Sequence, residues 1–334
     1  MLALKVAVVG ARPKSRGYNM GDFHAREFHR AGETVVGIAN TSLESAAAAA
    51  EDLRQDFGIN AKPYASLEEL LKAENADIVI VATPPETHYK HIMTALNAGC
   101  HVLAEKPLCW NVSNRQDQIP KDAKYLFRTA TKKRRVLAAN HQLTALWNDY
   151  LKTFYHGSDY QNAENYHGDF ALKLITKGIS GKENDLAYVA MDLLPHALSF
   201  LVKILPGGSI RSAVESSFGE SLIELKFTFG NGSKSVSSHL TLGYNPSAPE
   251  FSFGLDGYNV TRQIKKADAD GVSYSLADSK GTSVNVGDPL AKFDRRFLLA
   301  AARNNSGLLL VKPEQELGVM AAQCQIMNYL SRQF

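Results

Sequence analysis

Residues 77–107 read DIVIVATPPETHYKHIMTALNAGCHVLAEKP, and this stretch decides the fold class. It holds two short apolar runs, Asp77–Ala82 and His101–Ala104, separated by a helical pattern over Thr87–Ala98 that stops at Gly99. Short apolar strands that alternate with helices are typical of parallel β-α-β units covered on both faces. The stretch therefore predicts two neighbouring strands of a parallel sheet.

The same alternation fills the first 140 residues. Further strands are predicted at Lys5–Val9, Thr34–Ala39 and Val136–Ala139, and further helices at His24–Ala31, Ser42–Phe57, Ser66–Ala73 and about Val112 to Lys133. Sheets of this kind bind ligands beyond the C-terminal ends of their strands. We therefore look for functional residues after Val9, Ala39, Ala82, Ala104 and Ala139.

The second half has a different pattern. Gly- and Ser-punctuated strand candidates run from Ser209 to about Asn285, and a hairpin is predicted at Gly230-Asn231-Gly232, between Ser221–Phe229 and Ser233–Leu242. Helical patterns return at Phe293–Asn304 and Pro313–Arg332. An antiparallel sheet with helices on one face explains this order best. With 334 residues, the chain is predicted to form two α/β domains, a Rossmann-type doubly wound parallel sheet over 1–142 and a mainly antiparallel sheet domain over 143–334.

Composition excludes several functional classes. The 37 basic and 34 acidic residues nearly balance, which argues against nucleic acid and anionic membranes as partners. Three cysteines without a C-x-x-C pair predict neither a disulfide framework nor a zinc site, and no metal is expected. The apolar start has no basic region or cleavage site, and no apolar run approaches the roughly 20 residues of a membrane span, so a cytoplasmic location is expected.

The turn after the first strand, Gly10 to Gly21, is the first candidate site. A dinucleotide fold favours G-x-G-x-x-G, since bare backbone must approach a pyrophosphate at a helix N-terminus. Here Arg12 stands where the second glycine belongs, and the loop is longer. Two alignments remain open: the motif ends either at Ser15-Arg16-Gly17 or at Asn19-Met20-Gly21. The turn is interpreted as a phosphate loop, and its cofactor-binding candidates are Gly10, Ala11, Arg12, Gly17, Asn19, Met20 and Gly21; the alternative is a glycine-rich turn with solvated basic residues.

The end of the second strand carries Asn40, Thr41 and Ser42. An acid in this region would bind the ribose hydroxyls of NAD, whereas an uncharged side chain tolerates the 2′-phosphate of NADP. With Arg12, Lys14 and Arg16 nearby, NADP is favoured over NAD. Ser42 or Thr41 can also serve as the N-cap of the next helix, and the two roles are compatible.

Two further strand ends carry candidates. After Ala82, Thr83 and Pro84 force an extended exit that leaves the strand end open for a cofactor. After Ala104 comes Glu105-Lys106-Pro107, where the ammonium of Lys106 would point to the ligand edge and could stabilise an alkoxide. A surface ion pair between Glu105 and Lys106 is the alternative.

The motifs TPPETH at 83–88 and AEKPL at 104–108, at this spacing, resemble the Gfo/Idh/MocA family (glucose–fructose oxidoreductase, inositol dehydrogenase and rhizopine-catabolism proteins). The resemblance covers the N-terminal half. It implies a Rossmann domain, then a domain with a large open sheet that generally self-associates, here as a homodimer or homotetramer. It also implies hydride transfer between NAD(P) and a carbinol carbon of a sugar, inositol or related polyol, with Lys106 catalytic and with His88, Glu105, Lys106 and Asn140 in the cofactor site.

The family places the catalytic partners in a D-x-x-x-H motif, and Asp192 and His196 supply one here. Four residues apart, they share a helix face. Pro195 is expected only in a first turn, which predicts that the helix starts near Asp192. His196 would then act as general base, while Asp192 binds substrate or orients the base. The two motifs lie in different predicted domains, so both must reach one substrate.

The chain departs from the family at two positions: Ser199 stands where an Asp is frequent, and Asn140 begins a segment where an Arg is usual. Two other functions remain as alternatives. One is a non-catalytic dinucleotide sensor or regulator, against which the intact Lys106, Asp192 and His196 argue. The other is an NAD-dependent glycoside hydrolase, which would release a leaving group without net reduction of the cofactor.

Overall fold

The structure is a computed structural model that describes residues 3–17, 19–110, 117–157, 159–178, 181–182, 184–268 and 271–333. The chain divides into two compact units: Met1–Asn140 with Leu290–Pro313, and His141–Pro289 with Glu314–Phe334. The first unit thus includes a late segment that the predicted division at 142/143 assigns to the second domain.

The first unit is built on a six-stranded sheet. Its strands are β1 (Lys5–Val9), β2 (Thr34–Ala39), β3 (Lys62–Tyr64), β4 (Ile78–Val81), β5 (His101–Ala104) and β6 (Leu137–Ala139). They pair in the order β3-β2-β1-β4-β5-β6, and every pair is parallel. This is the strand order of a dinucleotide-binding Rossmann sheet, so the predicted fold class of this half is confirmed.

Five helices connect these strands. They are α1 (Met20–Arg30), α2 (Leu43–Phe57), α3 (Leu67–Ala73), α4 (Pro85–Asn97) and α5 (Ile119–Lys132). The helices α2 and α3 begin after Ser42 and Ser66, whose hydroxyls accept backbone N–H bonds as N-caps. The helix predicted from Val112 begins at Ile119 among the described residues, and 111–116 lie outside them.

The remaining elements follow in chain order. They are α6 (Trp147–Thr153), β7 (His167–Thr176), α7 (Leu186–Ile204), β8 (Ser209–Ile210), β9 (Glu215–Phe218), β10 (Leu222–Asn231), β11 (Lys234–Tyr244), β12 (Glu250–Leu255), β13 (Tyr258–Asp268), β14 (Gly271–Asp278), β15 (Ser283–Asn285), α8 (Pro289–Ala302) and α9 (Pro313–Leu330). Short 3-10 turns lie at Lys14–Arg16, Gln142–Leu146 and Ser306–Leu308.

The second unit is built on a nine-stranded sheet in the order β15-β14-β13-β12-β7-β11-β10-β8, with β9 paired to β10. All pairs are antiparallel except β7 with β11, so a mainly antiparallel sheet is confirmed. In the hairpin between β10 and β11, Asn231 pairs with Lys234, so the turn is formed by Gly232 and Ser233, and Gly230 and Asn231 of the predicted turn belong to β10. Strand β7, which lies mid-sheet, precedes the predicted strand region and was not anticipated.

Helix α7 packs against β10 and β11 and forms much of the core of this unit. Among the described residues it is the one helix long and apolar enough to cross a membrane by length and composition. However, 78% of its apolar window is buried inside the protein. Its apolar sequence also contains Asp192, Pro195 and His196. Burial and sequence together identify α7 as a core helix.

Helix α8 returns to the first unit. Its Phe293 and Phe297 are buried in one core with Phe28 of α1 and Val8 of β1. The rings of Phe28 and Phe297 lie 6.2 Å apart, centroid to centroid. The parallel sheet is therefore covered in part by residues from beyond position 289.

Candidate active site

The turn after β1 depends on two glycines. Gly10 has φ +97°, and a Cβ there would lie 2.7 Å from the backbone carbonyl of Ala82, so only glycine fits. Helix α1 begins at Met20, capped by Asn19, rather than at the predicted His24. The motif thus follows the second alignment, with Gly21 so close to Ala82 that a Cβ would touch it at 3.0 Å.

The buried carboxylate of Asp22 connects the two ends of this turn by hydrogen bonds to its backbone. Asp22 is fully buried and accepts N–H bonds from Asn19 at 2.8 Å and from Arg12 at 3.1 and 3.2 Å. With Asn19 it forms a capping box at the start of α1. Burial raises the pKa of Asp22 to about 6, against the lowering effect of the bonds from the two amides.

Most amides of the described turn donate within the protein. The N–H groups with internal acceptors include those of Gly10, Arg12, Lys14, Arg16, Gly17, Asn19 and Gly21. The exposed side chains of Arg12 and Arg16 and the positive end of α1 remain as attractive groups for phosphate. In the described part of this turn, most backbone amides are therefore already used within the protein, and two guanidinium groups lie exposed at its surface.

The end of β2 is tied to this turn. The side-chain amide of Asn40 donates to the carbonyl of Ala11 at 2.9 Å and to the hydroxyl of Ser45 at 3.3 Å. Thr41 is exposed, and Ser42 caps α2. Lys14, which the sequence interpretation counted among the cations near a 2′-phosphate, forms an ion pair with Asp56 at 2.7 Å. The side chains of the other two of these cations, Arg12 and Arg16, are exposed.

The ends of β4 and β5 are held together by a buried histidine. One ring nitrogen of His88 lies 2.7 Å from the carbonyl oxygen of Thr83, and the other lies 2.9 Å from that of Pro107. Burial lowers the pKa of this fully buried ring, so a neutral imidazole donates to one of the two carbonyls. His88 thereby connects the Thr83-Pro84 exit to the loop that carries Lys106.

A network of buried charges supports Glu105. Its Oε1 accepts from the side-chain amide of Asn140 at 2.7 Å and faces Nε2 of His24 at 3.1 Å. The other ring nitrogen of His24 faces the carboxylate of Asp294 at 2.8 and 2.9 Å. Sequence reasoning found Glu105 and Asn140 but missed His24 and Asp294. The available signals were a histidine one turn after Gly21 and the one acid among the basic and apolar residues of helix α8.

The charges of this network are coupled. Burial disfavours the charged ring of His24, but the carboxylates of Asp294 and Glu105 outweigh burial and raise its pKa to about 10. Burial raises the pKa of Asp294 to about 6 despite the facing imidazolium. Burial also opposes ionisation of Glu105, yet His24, Lys106 and Asn140 hold the pKa of Glu105 below its usual value. All three groups are therefore charged near pH 7 to 8.

In the second unit, α7 carries Asp192 and His196 on one face. The helix starts at Leu186, capped by Asp185, so the predicted start near Asp192 is wrong. Pro195 lies inside the helix and removes the N–H that would bond the carbonyl of Met191. Nε2 of the buried Gln323 in α9 donates to that carbonyl at 2.9 Å, which is how the helix tolerates the proline.

A second glutamine of α9 makes the same kind of contact. Gln315 donates to the carbonyl of Val202 at 3.1 Å, and the residue four positions later is Pro206, which has no N–H. Ser199, at the position where the family often has Asp, donates its hydroxyl to the carbonyl of His196. Side chains thus donate hydrogen bonds to three carbonyl groups of α7, those of Met191, His196 and Val202.

Tyr244, at the end of β11, orients Asp192. Its hydroxyl donates to Oδ2 of Asp192 at 2.8 Å, and burial followed by the Asp192 charge raises the pKa of the phenol. His196 is 8% exposed and Asp192 is half-buried. Sequence reasoning missed Tyr244, because nothing in its neighbourhood marks the end of β11 as adjacent to α7.

Taken together, the Rossmann strand order, the glycine turn before α1 and the polar residues at the strand ends define a dinucleotide-binding α/β protein. Residues 4–141 match the sequence model of the Gfo/Idh/MocA oxidoreductase family, described as having an NAD-binding Rossmann fold. The N-terminal part of the chain therefore carries the NAD-binding domain of this family, which the motifs at 83–88 and 104–108 resemble.

Curated relatives match the N-terminal part. The D-glucoside 3-dehydrogenase of Escherichia coli is 32% identical over 136 residues, which is 40% of this chain and 34% of that protein. The inositol 2-dehydrogenase of Azotobacter vinelandii is 32% identical over 109 residues, 32% of this chain and 29% of that protein. The aligned stretches thus span about a third of each relative.

Solved structures share the fold over nearly the whole chain. A UDP-N-acetylglucosamine 3-dehydrogenase from Acidithiobacillus ferrooxidans has a TM-score of 0.71 at 20% identity and covers 98% of both chains. A scyllo-inositol dehydrogenase from Lactobacillus casei has a TM-score of 0.69 at 10% identity, covering 99% of this chain and 97% of its own. At these identities the likeness concerns the fold.

Proposed function

We propose that the protein is an NAD(P)-dependent oxidoreductase that transfers a hydride between nicotinamide and a carbinol carbon of a sugar, inositol or related polyol. The observation that carries this proposal is the placement of Lys106. It follows β5 at the C-terminal edge of the Rossmann sheet, where the Gly10 turn, Thr83 and Asn140 follow the neighbouring strands. The names of the curated relatives support the substrate class.

The proposed catalytic residues have different roles. His196 takes the proton of the substrate hydroxyl as general base. The ammonium of Lys106 stabilises the negative charge that develops on that oxygen. Asp192, oriented by Tyr244, holds the substrate or the base in position. The nicotinamide ring supplies the hydride chemistry when it is bound.

The cofactor is proposed to lie along the strand ends. Gly10, Ala11, Arg12, Gly17, Asn19, Met20 and Gly21 would border its pyrophosphate, Asn40, Thr41 and Ser42 its adenosine ribose, and Thr83, Pro84, Glu105 and Asn140 its nicotinamide half. His88 would support the cofactor site indirectly, because its ring contacts the carbonyls of Thr83 and Pro107 and so connects the two loops that carry these residues. NADP is favoured over NAD, because Asn40 is uncharged and the guanidinium groups of Arg12 and Arg16 are exposed.

Absorbance of the reduced nicotinamide tests the activity directly. Purified protein with NAD⁺ or NADP⁺ is offered inositols, aldoses, glycosides and linear polyols, and turnover is expected with at least one class. Lys106→Ala should lower kcat by about 10²–10³-fold and leave cofactor binding measurable. Lys90→Ala, on the exposed surface of α4, is the matched control. Cofactor binding without turnover of any substrate would indicate a sensor, and full activity of Lys106→Ala would refute the assignment.

Cofactor choice is tested separately by calorimetry. Arg12→Ala should weaken the binding of both cofactors, because both carry the pyrophosphate, and should weaken NADP⁺ binding more, because only NADP⁺ carries the 2′-phosphate. Lys14→Ala should leave the ratio of the two dissociation constants nearly unchanged, because Asp56 already compensates Lys14. Equal effects on both cofactors in Arg12→Ala would remove the argument for NADP.

The proposal includes self-association as a homodimer or homotetramer. Ile264 on β13 is 64% exposed and Phe218 on β9 is 41% exposed, and exposed apolar side chains on a sheet favour such contacts. Light scattering coupled to gel filtration would give the mass in solution, and a monomer at micromolar concentration would contradict this part.

A further inference from the structure

Nothing in the proposed chemistry uses His24 or Asp294, although both are buried and charged. His24 has no exposed surface and Asp294 is 1% exposed. A buried charged group is expensive unless partners compensate it, and replacing such a group by an apolar one is often neutral or stabilising. Three ionised groups in one contact network of the first unit therefore need an explanation beyond stability.

The geometry of the ring limits what the network can do. Its two nitrogens face opposite partners, Asp294 on one side and Glu105 on the other. Only the doubly protonated imidazolium can donate to both. The three groups do not converge on one point, and among the described residues no group of three or more His, Cys, Asp or Glu is arranged to hold a metal ion. The three charged groups form a chain in which the ring of His24 lies between the carboxylates of Asp294 and Glu105.

We propose that His24 and Asp294 are positioning residues, and that the imidazolium, anchored by Asp294 of the returning helix α8, fixes the Glu105 carboxylate and thereby the next residue, Lys106. This inference rests on the proposed function of Lys106. The side-chain amide of Asn140 holds the same Oε1 atom of Glu105 from the end of β6. Elements α1, α8, β5 and β6 thus converge on the residue before the ammonium.

The charges around the ring are few. Asp294 faces it from α8 and Glu105 from the end of β5, while Glu27 of α1 acts on Asp294, and Lys106 acts on Glu105. Asp294 is the larger of the two carboxylate contributions that keep His24 protonated. Removing that charge should let the ring lose its proton near neutral pH, where a free histidine titrates at about 6.5. A neutral ring has a single N–H, so it can no longer donate to both sides, and its hydrogen bond to the Glu105 carboxylate loses the support of a positive charge.

The variant Asp294→Asn keeps the shape and removes the charge. In the wild type, NMR of the His24 ring, assigned by its loss in His24→Gln, should show no deprotonation below pH 9. In Asp294→Asn the midpoint should fall by at least about two pH units. Over the same interval kcat/KM of the variant relative to the wild type should fall about tenfold as pH rises, with kcat rather than cofactor affinity carrying the loss.

Asp77→Asn is the matched control. Asp77 accepts the backbone N–H of Lys5 at 2.8 Å at the opposite, N-terminal edge of the same sheet. Both variants should lower the melting temperature, whereas the new pH dependence should occur in Asp294→Asn alone. His24→Gln tests the coupling between His24 and Lys106 by a second route, because glutamine keeps a donor and has no titrating group. The kcat/KM of this variant should therefore lack the new pH dependence that is expected for Asp294→Asn.

A readout without substrate separates this inference from the proposed function. With ¹³C-labelled lysine, the Cε signal of Lys106, assigned by Lys106→Arg, should follow the His24 titration in Asp294→Asn and stay constant in Asp77→Asn. If the wild type turns over no substrate but this coupling is present, the proposed function fails and the positioning role stands. If the His24 midpoint falls while the Lys106 signal and the pH profile remain those of the wild type, the network is structural only and the inference is overturned.

Discussion

The two units assemble their candidate residues by different physical means. In the first, charged and amide groups from separate strands and helices bond one another at the edge of a parallel sheet, and two carboxylates raise the pKa of the histidine among them. In the second, Asp192 and His196 lie one turn apart on a single helix. Gln323 compensates the backbone hydrogen bond that this helix lacks at Pro195, and Tyr244 bonds the carboxylate of Asp192. The candidate residues of the first unit thus form a network of charged groups. Those of the second unit share one face of a helix that contains an internal proline.

This difference predicts which kind of damage each site tolerates. The charge network should respond mainly to pH and to isosteric loss of charge. The helix face should respond mainly to loss of single hydrogen bonds behind it. The following variants test that contrast, in order of decreasing expected effect.

His196→Asn should have the largest effect, because it removes the proposed general base while keeping a polar group of similar shape. A loss of kcat of about 10²–10⁴-fold is expected, as is usual for general bases. His167→Asn, at an exposed position on β7, is the control. Steady-state kinetics with the best substrate provide the measurement, and a loss of less than tenfold would place the base elsewhere.

Gln323→Leu should destabilise the second unit by about 1–3 kcal/mol, because the buried carbonyl of Met191 loses its donor. Gln315→Leu should have a smaller effect, since its acceptor, the carbonyl of Val202, lies near the end of α7. Urea denaturation gives both free energies of unfolding.

The rescue variant makes this prediction specific. In Pro195→Ala with Gln323→Leu, the alanine N–H can bond the Met191 carbonyl within the helix, so most of the lost stability should return. An additive double variant would show that Gln323 contributes through packing rather than through this hydrogen bond.

Tyr244→Phe should lower kcat by about tenfold, because Asp192 loses one hydrogen bond of ordinary strength to a charged group. The fold should be retained, since the ring is unchanged. Tyr329→Phe removes a comparable hydroxyl, whose contact is Ser216 at 3.3 Å, and should leave kcat nearly unchanged. Equal behaviour of the two variants would remove the positioning role of Tyr244.

Asp22→Asn should have the smallest effect and the opposite sign. The pKa of Asp22 is raised to about 6, so the buried carboxylate is ionised at pH 8 and repels a pyrophosphate, and it becomes neutral below pH 6. Cofactor affinity of the wild type should therefore increase several-fold as pH falls from 8 to 5.5. Asp22→Asn should bind several-fold more tightly at pH 8 and lose this pH dependence, as calorimetry would show. An unchanged slope in the variant would separate Asp22 from cofactor binding.

Local sequence patterns predicted most of the first unit because its strands are short, apolar and bounded by strong caps, but they missed β3 (Lys62–Tyr64), and they assigned residues 290–313 to the second domain. The strands β2 and β5 lie at their predicted residues, and Ser42 and Ser66 cap the helices they precede. Since parallel strands end at one edge, the positions of Thr83, Glu105 and Asn140 followed from topology alone. The family motif then added Asp192 and His196, whose chemistry no periodicity reveals.

What sequence reasoning missed depends on contacts between residues far apart in the chain. Asp294 meets His24 across 270 positions, and Gln323 meets Met191 across 132. The rule that proline belongs in a first turn failed for Pro195 for the same reason, since the compensating donor comes from another helix. Arg12 at the expected glycine position was the local signal that the phosphate turn is unusual, but the internal use of its amides required the carboxylate of Asp22 to be located.

The return of residues 290–313 to the first unit determines when that unit can complete its fold during synthesis. The first 140 residues leave the ribosome without Phe293 and Phe297, which fill the core beside Phe28, and without Asp294, which compensates His24. Residues 141–289 must all be translated before those side chains arrive. The nucleotide-binding half is therefore begun first and finished nearly last, so a chain interrupted before residue 290 would expose an unfilled apolar surface and be a natural target for chaperones.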